Sequence, residues 1–325
     1  MKVLITGSSG FIGGHLVRAL VALGYPVLGI DAVQPKGAIS GWSFQECDLL
    51  NPFTLRTILE EFSPDCVVHL AARTDLDEKA NLHEDYAVNI AGVENLVKSV
   101  RASASVRHCI YTSTQLVCPV GYVPDSALDY RPETLYGESK MLGEKIVRDF
   151  DGGGATWCIV RPTTVWGPGM NPHYQRFFRM VAEGRYFHVG RCPLRKSYGY
   201  VGNIAYQYTK LLQADHEDIH RKTFYLADYE PLSLRDWADV LSDELGSPDI
   251  KTIPQGVARL AAICGDFVNA CGFRSFPFNS FRLRNVLMEY QVDLADIERL
   301  CGPLPYTMHH GVKETVRWYQ ESTSR

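Results

Sequence analysis

Two side chains four residues apart offer the most direct chemistry in this sequence. Tyr136 and Lys140 lie in a segment predicted to be helical from Tyr136 to Asp149, and residues four apart share one face of a helix. A nearby ammonium favours the phenolate and lowers a phenol pKa from about 10 towards neutrality. The pair therefore predicts a general base or acid for a hydroxyl or a ketone. Taken alone, such a pair is more often a solvated aromatic–lysine contact, so the surrounding elements must decide.

The start of the chain predicts a site for a dinucleotide. Lys2 to Thr6 form a short apolar strand, and from Phe11 the apolar residues recur at helical intervals. Glycines separate the two elements. A helix start attracts anions, and glycines let a pyrophosphate approach the backbone. An incidental tight turn is the alternative. We predict that the following residues bind the dinucleotide: Gly7, Gly10, Phe11, Ile12 and Gly13.

Acidic residues after the second and third strands refine this prediction. Val27–Ile30 reads as a strand that ends at Asp31. An acid at this position accepts hydrogen bonds from ribose hydroxyls and repels a 2′-phosphate, so the cofactor is predicted to be NAD and not NADP. Asp48 and Leu49 would meet the adenine, unless Asp48 instead caps the helix that starts near Pro52.

Strands and helices alternate through the first half of the chain, which predicts an α/β fold. The predicted elements are Phe44–Cys47, Asp65–Leu70, His108–Ser113 and Trp157–Arg161 as strands, and Pro52–Phe62 and Glu84–Ala102 as helices. This alternation predicts a Rossmann-type, doubly wound parallel sheet that binds ligands beyond the carboxyl ends of its strands. A smaller mixed C-terminal substrate domain would follow. We place the NAD-binding and catalytic domain in residues 1–170, with segments around 195–228 returning to it, and mainly the substrate cap in 171–325.

These motifs resemble the extended short-chain dehydrogenase/reductase family, which includes nucleotide-sugar epimerases and dehydratases. The resemblance rests on the glycine spacing, the Tyr136/Lys140 pair and the run Asn89-x-x-Gly92-x-x-Asn95. It implies that Thr114, with Ser113 as its rival, bonds the reacting oxygen of the substrate. It further implies that the cofactor is bordered by Leu70, Ala71, Ala72, Asn89, Thr112, Pro162, Thr163 and Val165, along with Tyr136 and Lys140. For Ala71 and Ala72 the alternative is simple close packing, and for Asn89 it is bracing of the backbone beside the site.

The resemblance is thinner in the second half of the chain. Asn171 would touch the sugar or the diphosphate, Arg195 or Lys196 would meet a nucleotide diphosphate, and Arg282 and Arg284 lie near the family's second diphosphate arginine. For each basic residue a solvated surface charge is the alternative. A phenylalanine-rich stretch reads as core or as a wall for a lipid part of a substrate: Phe267, Phe273, Phe276 and Phe278.

Two residues near the predicted active site narrow the reaction. Gln115 stands where dehydratases of the family carry an acid, and an amide has no titratable proton. Leu116 stands where reductase-epimerases acting at C3 and C5 carry a cysteine. Neither reaction is therefore expected. We interpret Cys118, which no base accompanies in a motif, as a packing residue.

Bulk composition limits the partners. The net charge of −4 leaves no broad basic field for nucleic acid. The nine scattered cysteines form no Cys-x-x-Cys pair, so reduced thiols and no metal site are expected. The first strand leaves no room for a signal peptide, and the longest apolar segment, 257–273, is interrupted by Arg259, Asp266 and Asn269. We expect a cytoplasmic protein with no integral membrane segment, and a peripheral membrane contact through this segment stays open. The resemblance implies a homodimer.

The sequence thus predicts an NAD-dependent nucleotide-sugar epimerase that acts at C4 through a transient 4-keto intermediate. One alternative is a 4-ketoreductase or a hydroxysteroid-type dehydrogenase on the same fold. Another is a non-enzymatic NAD sensor, which the intact Tyr136/Lys140 pair argues against.

Overall fold

A computed structural model describes residues 1–37, 40–270 and 278–323, without the side chains of 172–174. The strands in chain order are β1 (Val3–Thr6), β2 (Val27–Asp31), β3 (Ser43–Glu46), β4 (Cys66–His69), β5 (His108–Thr112), β6 (Thr156–Pro162), β7 (Thr164–Trp166), β8 (His188–Val189), β9 (Arg195–Lys196), β10 (Tyr198–Tyr200), β11 (Lys222–Leu226), β12 (Leu232–Ser233) and β13 (Thr252–Ile253).

The helices are α1 (Phe11–Ala22), α2 (Pro52–Phe62), α3 (Leu82–Asp85), α4 (Ala87–Ala102), α5 (Leu135–Asp149), α6 (Pro172–Ala182), α7 (Val201–Gln213), α8 (His216–Ile219), α9 (Leu234–Leu245), α10 (Gln255–Ala270), α11 (Ser280–Leu287), α12 (Ala295–Cys301) and α13 (Met308–Thr323). Short 3-10 turns lie at Gln115–Val117 and Asp151–Gly153.

The main sheet has seven parallel strands in the order β11-β6-β5-β4-β1-β2-β3. Every residue of β1 and β4 is buried, because helices cover both faces of such a sheet and its central strands must be apolar throughout. The order reverses direction at β1, which brings the ends of β1 and β4 to the ligand-binding edge. The predicted fold class is confirmed.

The predicted helix Glu84–Ala102 is divided in the structure at Tyr86, between α3 and α4. Tyr86 is fully buried, its hydroxyl donates to the carbonyl of Asp75, and the Arg73 guanidinium lies 4.9 Å from its ring centroid. These long-range contacts hold Tyr86 outside helical geometry. The prediction of one continuous helix was wrong here.

Contacts within the chain define two compact units. The first comprises Met1–Val165, Gly199–Tyr229 and Val292–Tyr306. Its last stretch lies in the region that the sequence analysis gave mainly to the cap. Asn203 joins the later stretches, because its Nδ2 donates to the Tyr306 carbonyl and its Oδ1 accepts from the Tyr306 amide.

The second unit comprises Trp166–Tyr198, Glu230–Gln291 and Thr307–Arg325. Trp237 on α9 is the centre of an aromatic cluster, stacking on Phe177 at 4.6 Å and packing against Trp166 and Phe178. Ser233 caps α9 by accepting from the Asp236 amide.

The phenylalanine-rich stretch divides between different environments. Phe267 on α10 is exposed, whereas Phe278 is half-buried and packs against the Ala258–Ala262–Leu283 cluster. Phe273 and Phe276 lie outside the described residues. In the part of the chain that is described, none of the helices has the length and apolarity needed to cross a bilayer.

Candidate active site

The glycine turn after β1 forms a cradle that side chains would fill. Gly7 has φ +72°, and a Cβ on it would lie 2.5 Å from the Ala71 nitrogen. A Cβ on Gly13 would lie 2.1 Å from the Gly7 oxygen. Helix α1 starts at Gly10 with no side-chain cap and no acidic residue in its first turn. This arrangement suits a bound pyrophosphate.

Asp31 ties the end of β2 to this turn. Its Oδ2 accepts from the Ser9 amide at 3.0 Å, and its Oδ1 accepts from the Val33 amide at 3.1 Å. A carboxylate has about four acceptor positions, so both oxygens can still accept ribose hydroxyls. Together with the glycine cradle, Asp31 fits an adenine dinucleotide.

The structure excludes the capping alternative for Asp48. Helix α2 is capped by Asn51, whose side chain accepts from the Thr54 amide. Asp48 is exposed and accepts from the Leu50 amide, while Leu49 is buried and held through its carbonyl by Asn95 Nδ2 at 2.9 Å.

Thr6 and His69, which the sequence analysis did not select, organise the adjacent strand ends. The Thr6 hydroxyl accepts from the amides of Leu70 and Ala71 at 3.2 Å and lies 2.8 Å from His69 Nδ1. Since that oxygen already accepts twice, its hydrogen goes to Nδ1, which assigns the imidazole hydrogen to Nε2. Burial, with the charge of Lys140, lowers the pKa of His69 to about 3, so the ring is neutral. The sequence features that could have identified these two residues were a threonine directly before the glycine turn and a histidine at the end of β4.

The hydroxyls at the end of β5 occupy different positions. Thr112 Oγ1 lies 2.7 Å from the Tyr208 hydroxyl. Thr114 Oγ1 accepts from the Leu116 amide, which leaves its own hydrogen free to be donated. Ser113 Oγ is buried and has no hydrogen-bond partner within the described part of the chain. Ser113 and Thr114 therefore both stay predictions as the residue that bonds the reacting oxygen.

Helix α5 brings Tyr136 and Lys140 to this strand end. Its start is capped by Thr134, which accepts from the Gly137 amide. A Cβ on Gly137 would lie 2.2 Å from the Leu116 oxygen, so only glycine lets the helix start contact the turn after Thr114. This contact brings the start of α5, which carries Tyr136, against the turn that follows Thr114.

Lys140, one helical turn after Tyr136 on α5, is buried. Desolvation lowers its pKa to about 8, against the opposing effect of Glu144, so its ammonium is largely charged at neutral pH. Lys140, Ser113 and His69 line a cavity of about 10 Å³, roughly the space of one water molecule. The charge that would stabilise a phenolate is therefore largely removed from bulk solvent.

Asn89 braces the chain beside the site in this structure. Its Oδ1 accepts from the Arg73 amide, and its Nδ2 donates to the Arg73 carbonyl and to Ser139 Oγ at 2.8 Å. These bonds join the chain after β4 to α5. The bracing alternative for Asn89 thus has support, and its place beside the cofactor stays a prediction.

Residues at and after the end of β6 are held by burial and by bonds within the protein. Pro162 and Val165 are buried, and the Thr163 amide and hydroxyl both donate to the Leu226 carbonyl. Behind them, Arg161 forms a buried two-point ion pair with Glu144 at 2.8 Å. The Thr163 hydroxyl is therefore already used in a bond that joins β6 to β11, and its contact with the cofactor stays a prediction.

The predicted substrate residues of the second unit differ in exposure. Lys196 is buried, and its Nζ donates to the Asn285 carbonyl at 2.6 Å, so it fastens α11 and is not placed as a diphosphate ligand. Arg195 and Asn171 are exposed. Arg282 is half-buried, and its pKa is lowered by burial and by the charge of Arg176.

Arg284 and Cys118 complete the predicted set. Arg284 is exposed and lies 5.9 Å from the Phe281 ring centroid. Cys118 is buried, its thiol donates to the Asp129 carbonyl, and burial raises its pKa. A thiol of this kind is a packing group and a poor nucleophile.

A parallel doubly wound sheet with a glycine cradle, an acidic residue after β2 and a Tyr/Lys pair on α5 defines a dinucleotide-dependent enzyme. The model of the NAD dependent epimerase/dehydratase family matches residues 3–227, and the chain belongs to that family. The interpretation as a non-enzymatic sensor is therefore set aside.

The chain is similar to relatives with different activities. It is 30% identical to a 3-beta-hydroxysteroid dehydrogenase of Mycolicibacterium neoaurum over 73% of this chain and 68% of that protein. It is 24% identical to the N-acetyl-alpha-D-glucosaminyl-diphospho-ditrans,octacis-undecaprenol 4-epimerase of Escherichia coli O157:H7, over 98% and 95% of the two chains. A solved UDP-glucose 4-epimerase of Thermus thermophilus in complex with NAD shares the fold, with a TM-score of 0.73, 21% identity and coverage of 98% and 99%.

Proposed function

We propose that this protein is an NAD-dependent nucleotide-sugar epimerase that acts at C4 through a transient 4-keto intermediate. The observation that carries the proposal is the meeting of two sets of residues at one edge of the sheet. The glycine cradle and Asp31 follow β1 and β2. At the end of β5, Ser113 and Lys140 line one cavity, and Tyr136 lies one helical turn before Lys140 on α5.

Asp31 supports NAD over NADP in this proposal. A 2′-phosphate would stand against a carboxylate that is already fixed by two backbone amides. Like-charge contact of this kind disfavours NADP.

In the proposed mechanism, bound NAD supplies the group that accepts a hydride and later returns it. Tyr136, as phenolate, takes the proton of the C4 hydroxyl and gives it back after the ketone has turned its other face. The charge of buried Lys140 stabilises the phenolate. Thr114, whose hydroxyl hydrogen is free, donates to the reacting oxygen. Gln115 offers no acid for dehydration.

A pair of arginines supports a diphosphate in the substrate. Arg176 and Arg282 lie close enough that the charge of one contributes to lowering the pKa of the other. The similarity to the 4-epimerase of E. coli over nearly the whole chain supports a sugar diphosphate, with a nucleotide or a polyprenol as the second part.

The test is incubation with UDP-, GDP-, dTDP- and CDP-sugars, and with a polyprenyl-diphosphate sugar, followed by product stereochemistry and NADH absorbance. We expect C4 epimers to form with only a catalytic amount of NAD. Tyr136→Phe should abolish conversion while NAD binding persists. Full activity in that variant would contradict the assignment of the base.

A second candidate is a dehydrogenase or ketoreductase on the same fold. It is favoured by the 30% identity to a 3-beta-hydroxysteroid dehydrogenase. Here NADH would accumulate in proportion to product, or be consumed by a ketone. Stoichiometric absorbance change with no epimer would replace the first proposal by this one.

The homodimer implied by the sequence stays part of the proposal, with α4 and α5, which pack against each other, as its surface. Light scattering of the full chain tests it. A monomeric mass at micromolar concentration would contradict it.

A further inference from the structure

Helix α10 turns its small residues inwards and its large apolar residues outwards. Its buried positions are Ala258, Ala262 and Gly265. The outward residues, which we call the α10 stripe, are Val257 (53% exposed), Leu260 (67%), Ile263 (59%) and Phe267 (71%).

This orientation is the reverse of an ordinary surface helix. An amphipathic helix normally buries its largest apolar side chains. At 3.6 residues per turn, the stripe lies on the face opposite the three small residues. Phe281 on α11, 61% exposed, is another large apolar side chain at the surface of this helix pair. Contiguous exposed apolar surface of this kind marks an interaction site.

Positive charge accompanies the stripe. Arg259 and Arg284 line a groove of about 540 Å³ between α10 and α11, together with Ile263, Leu283, Leu287 and Met288. Over the residues that the structure describes, neither arginine forms an ion pair. The chain as a whole carries a net charge of −4. Helix α10 also carries the exposed carboxylate of Asp266, which accepts from the Ser280 amide, so the positive charge beside the stripe comes from Arg259 and Arg284.

We propose that the α10 stripe docks on the surface of a lipid bilayer with anionic headgroups. The helix would lie in the plane of the interface, with the stripe at the boundary of headgroups and acyl chains and both arginines on lipid phosphates. An apolar face bordered by basic residues is the pattern of interfacial helices.

The charges also argue against a second copy of the chain as the occupant. In a two-fold symmetric contact both copies use the same surface patch. Such a contact would place four arginines, Arg259 and Arg284 of each copy, within one apolar interface. Anionic lipid, in contrast, complements both the apolar stripe and the arginines. This inference is independent of the reaction proposed above.

The test is co-sedimentation of the full chain with vesicles of phosphatidylcholine alone or with about 30% phosphatidylglycerol. We expect binding to the anionic vesicles and weaker binding to the neutral ones. Leu260→Asp/Phe267→Asp should abolish it. Arg259→Gln/Arg284→Gln should weaken binding to anionic vesicles roughly thirtyfold, at about 1 kcal/mol for each arginine.

Phe53→Asp is the matched control, because Phe53 is 80% exposed on α2 in the other compact unit. It should bind like the wild type. Circular dichroism and NAD binding report whether each variant is folded, and the arginine variant tests the proposal if the aspartate variant is not. Absence of vesicle binding, equal binding to both vesicle types, or equal loss in Phe53→Asp would overturn the proposal. A halving of the mass in light scattering on Leu260→Asp/Phe267→Asp, without vesicle binding, would assign the stripe to a second copy.

Discussion

Burial decides the protonation states of the side chains at the site more than their residue types do. Lys140 and His69 line the same small cavity, and desolvation lowers the pKa of each. Lys140 stays charged at neutral pH because its pKa is still about 8, whereas His69, at about 3, is neutral. The motif allowed Lys140 to be predicted from the sequence. The bonds of Thr6 to His69 and to the chain after β4 span more than 60 residues, so no local pattern could reveal them.

Catalysis should decline with rising pH as Lys140 loses its proton. The folded-state pKa of about 8 is below the ordinary 10.5, so the ammonium is largely present at pH 7, half lost near pH 8 and mostly lost at pH 9. We expect kcat/KM to fall through pH 8 to 9. Lys140→Arg, which keeps its charge, should be slower but lack this decline. A wild-type rate that keeps rising to pH 10 would contradict the role of the charge.

Asp31 should control the choice of cofactor. Asp31→Asn removes the charge that we propose accepts ribose hydroxyls and repels a 2′-phosphate, and charged hydrogen bonds contribute about 1.5–3 kcal/mol. Calorimetry should show NAD affinity reduced by about 10- to 150-fold, with a smaller difference between NAD and NADP. Glu46→Gln, at the position paired with Asp31 on β3, is the control and should leave both affinities unchanged. A variant that still rejects NADP would contradict this prediction.

At the scale of elements, close approaches between helices and strand ends shape the site. Three glycines, Gly7, Gly13 and Gly137, allow contacts around the starts of α1 and α5 that a Cβ would prevent. These glycines are therefore required by packing as well as by the predicted cofactor site. Strands β1, β2, β4 and β5 were predictable because buried parallel strands are short apolar runs. The break at Tyr86 was not, because that residue fits a helical pattern and is displaced by contacts with Arg73 and Asp75.

Gly13 and Gly14 provide a matched pair on α1. A Cβ on Gly13 meets the Gly7 oxygen at 2.1 Å, whereas one on Gly14 meets nothing closer than 3.9 Å. Gly13→Ala should therefore cost about 1–3 kcal/mol of stability and abolish NAD binding. Gly14→Ala should bind NAD normally and gain up to about 1 kcal/mol from helix propensity. Thermal melting and calorimetry measure both, and equal effects would contradict the packing argument.

At the scale of the molecule, a buried ion pair links the elements of the first unit. Arg161 on β6 holds Glu144 on α5 and donates to the Ala127 carbonyl, and both charged side chains are almost fully buried. Arg161→Met leaves the buried Glu144 carboxylate with only the Tyr130 hydroxyl at 2.9 Å and the Arg148 guanidinium at 3.7 Å, so we expect a loss of up to about 3–5 kcal/mol.

Differential scanning calorimetry measures this loss. Arg161→Met/Glu144→Leu should recover much of it, because the unpaired charge is then gone. Arg299→Met, which breaks the exposed pair with Asp296, should change stability by less than about 1 kcal/mol. A double variant no better than Arg161→Met would show that the pair itself is stabilising.

The overall plan was predictable only in part. Alternation of strands and helices gave the sheet, because each element buries a recognisable face. The assignment of Val292–Tyr306 to the first unit could not be predicted. It depends on hydrogen bonds between residues far apart in the chain, such as Asn203 with Tyr306 and Tyr229 with Gly302, and no local sequence pattern indicates such bonds.

This assembly from three stretches has a consequence for the order of events during synthesis. When the ribosome has added Tyr229, the main sheet is complete in sequence, but the stretch that packs on α7 and β11 through α12 is not yet made. At about 5–20 residues per second, the remaining 77 residues to Tyr306 (306 minus 229) take roughly 4–15 seconds. During that interval the nascent chain exposes the apolar surface that α12 later covers, and chaperones have their opportunity to bind there.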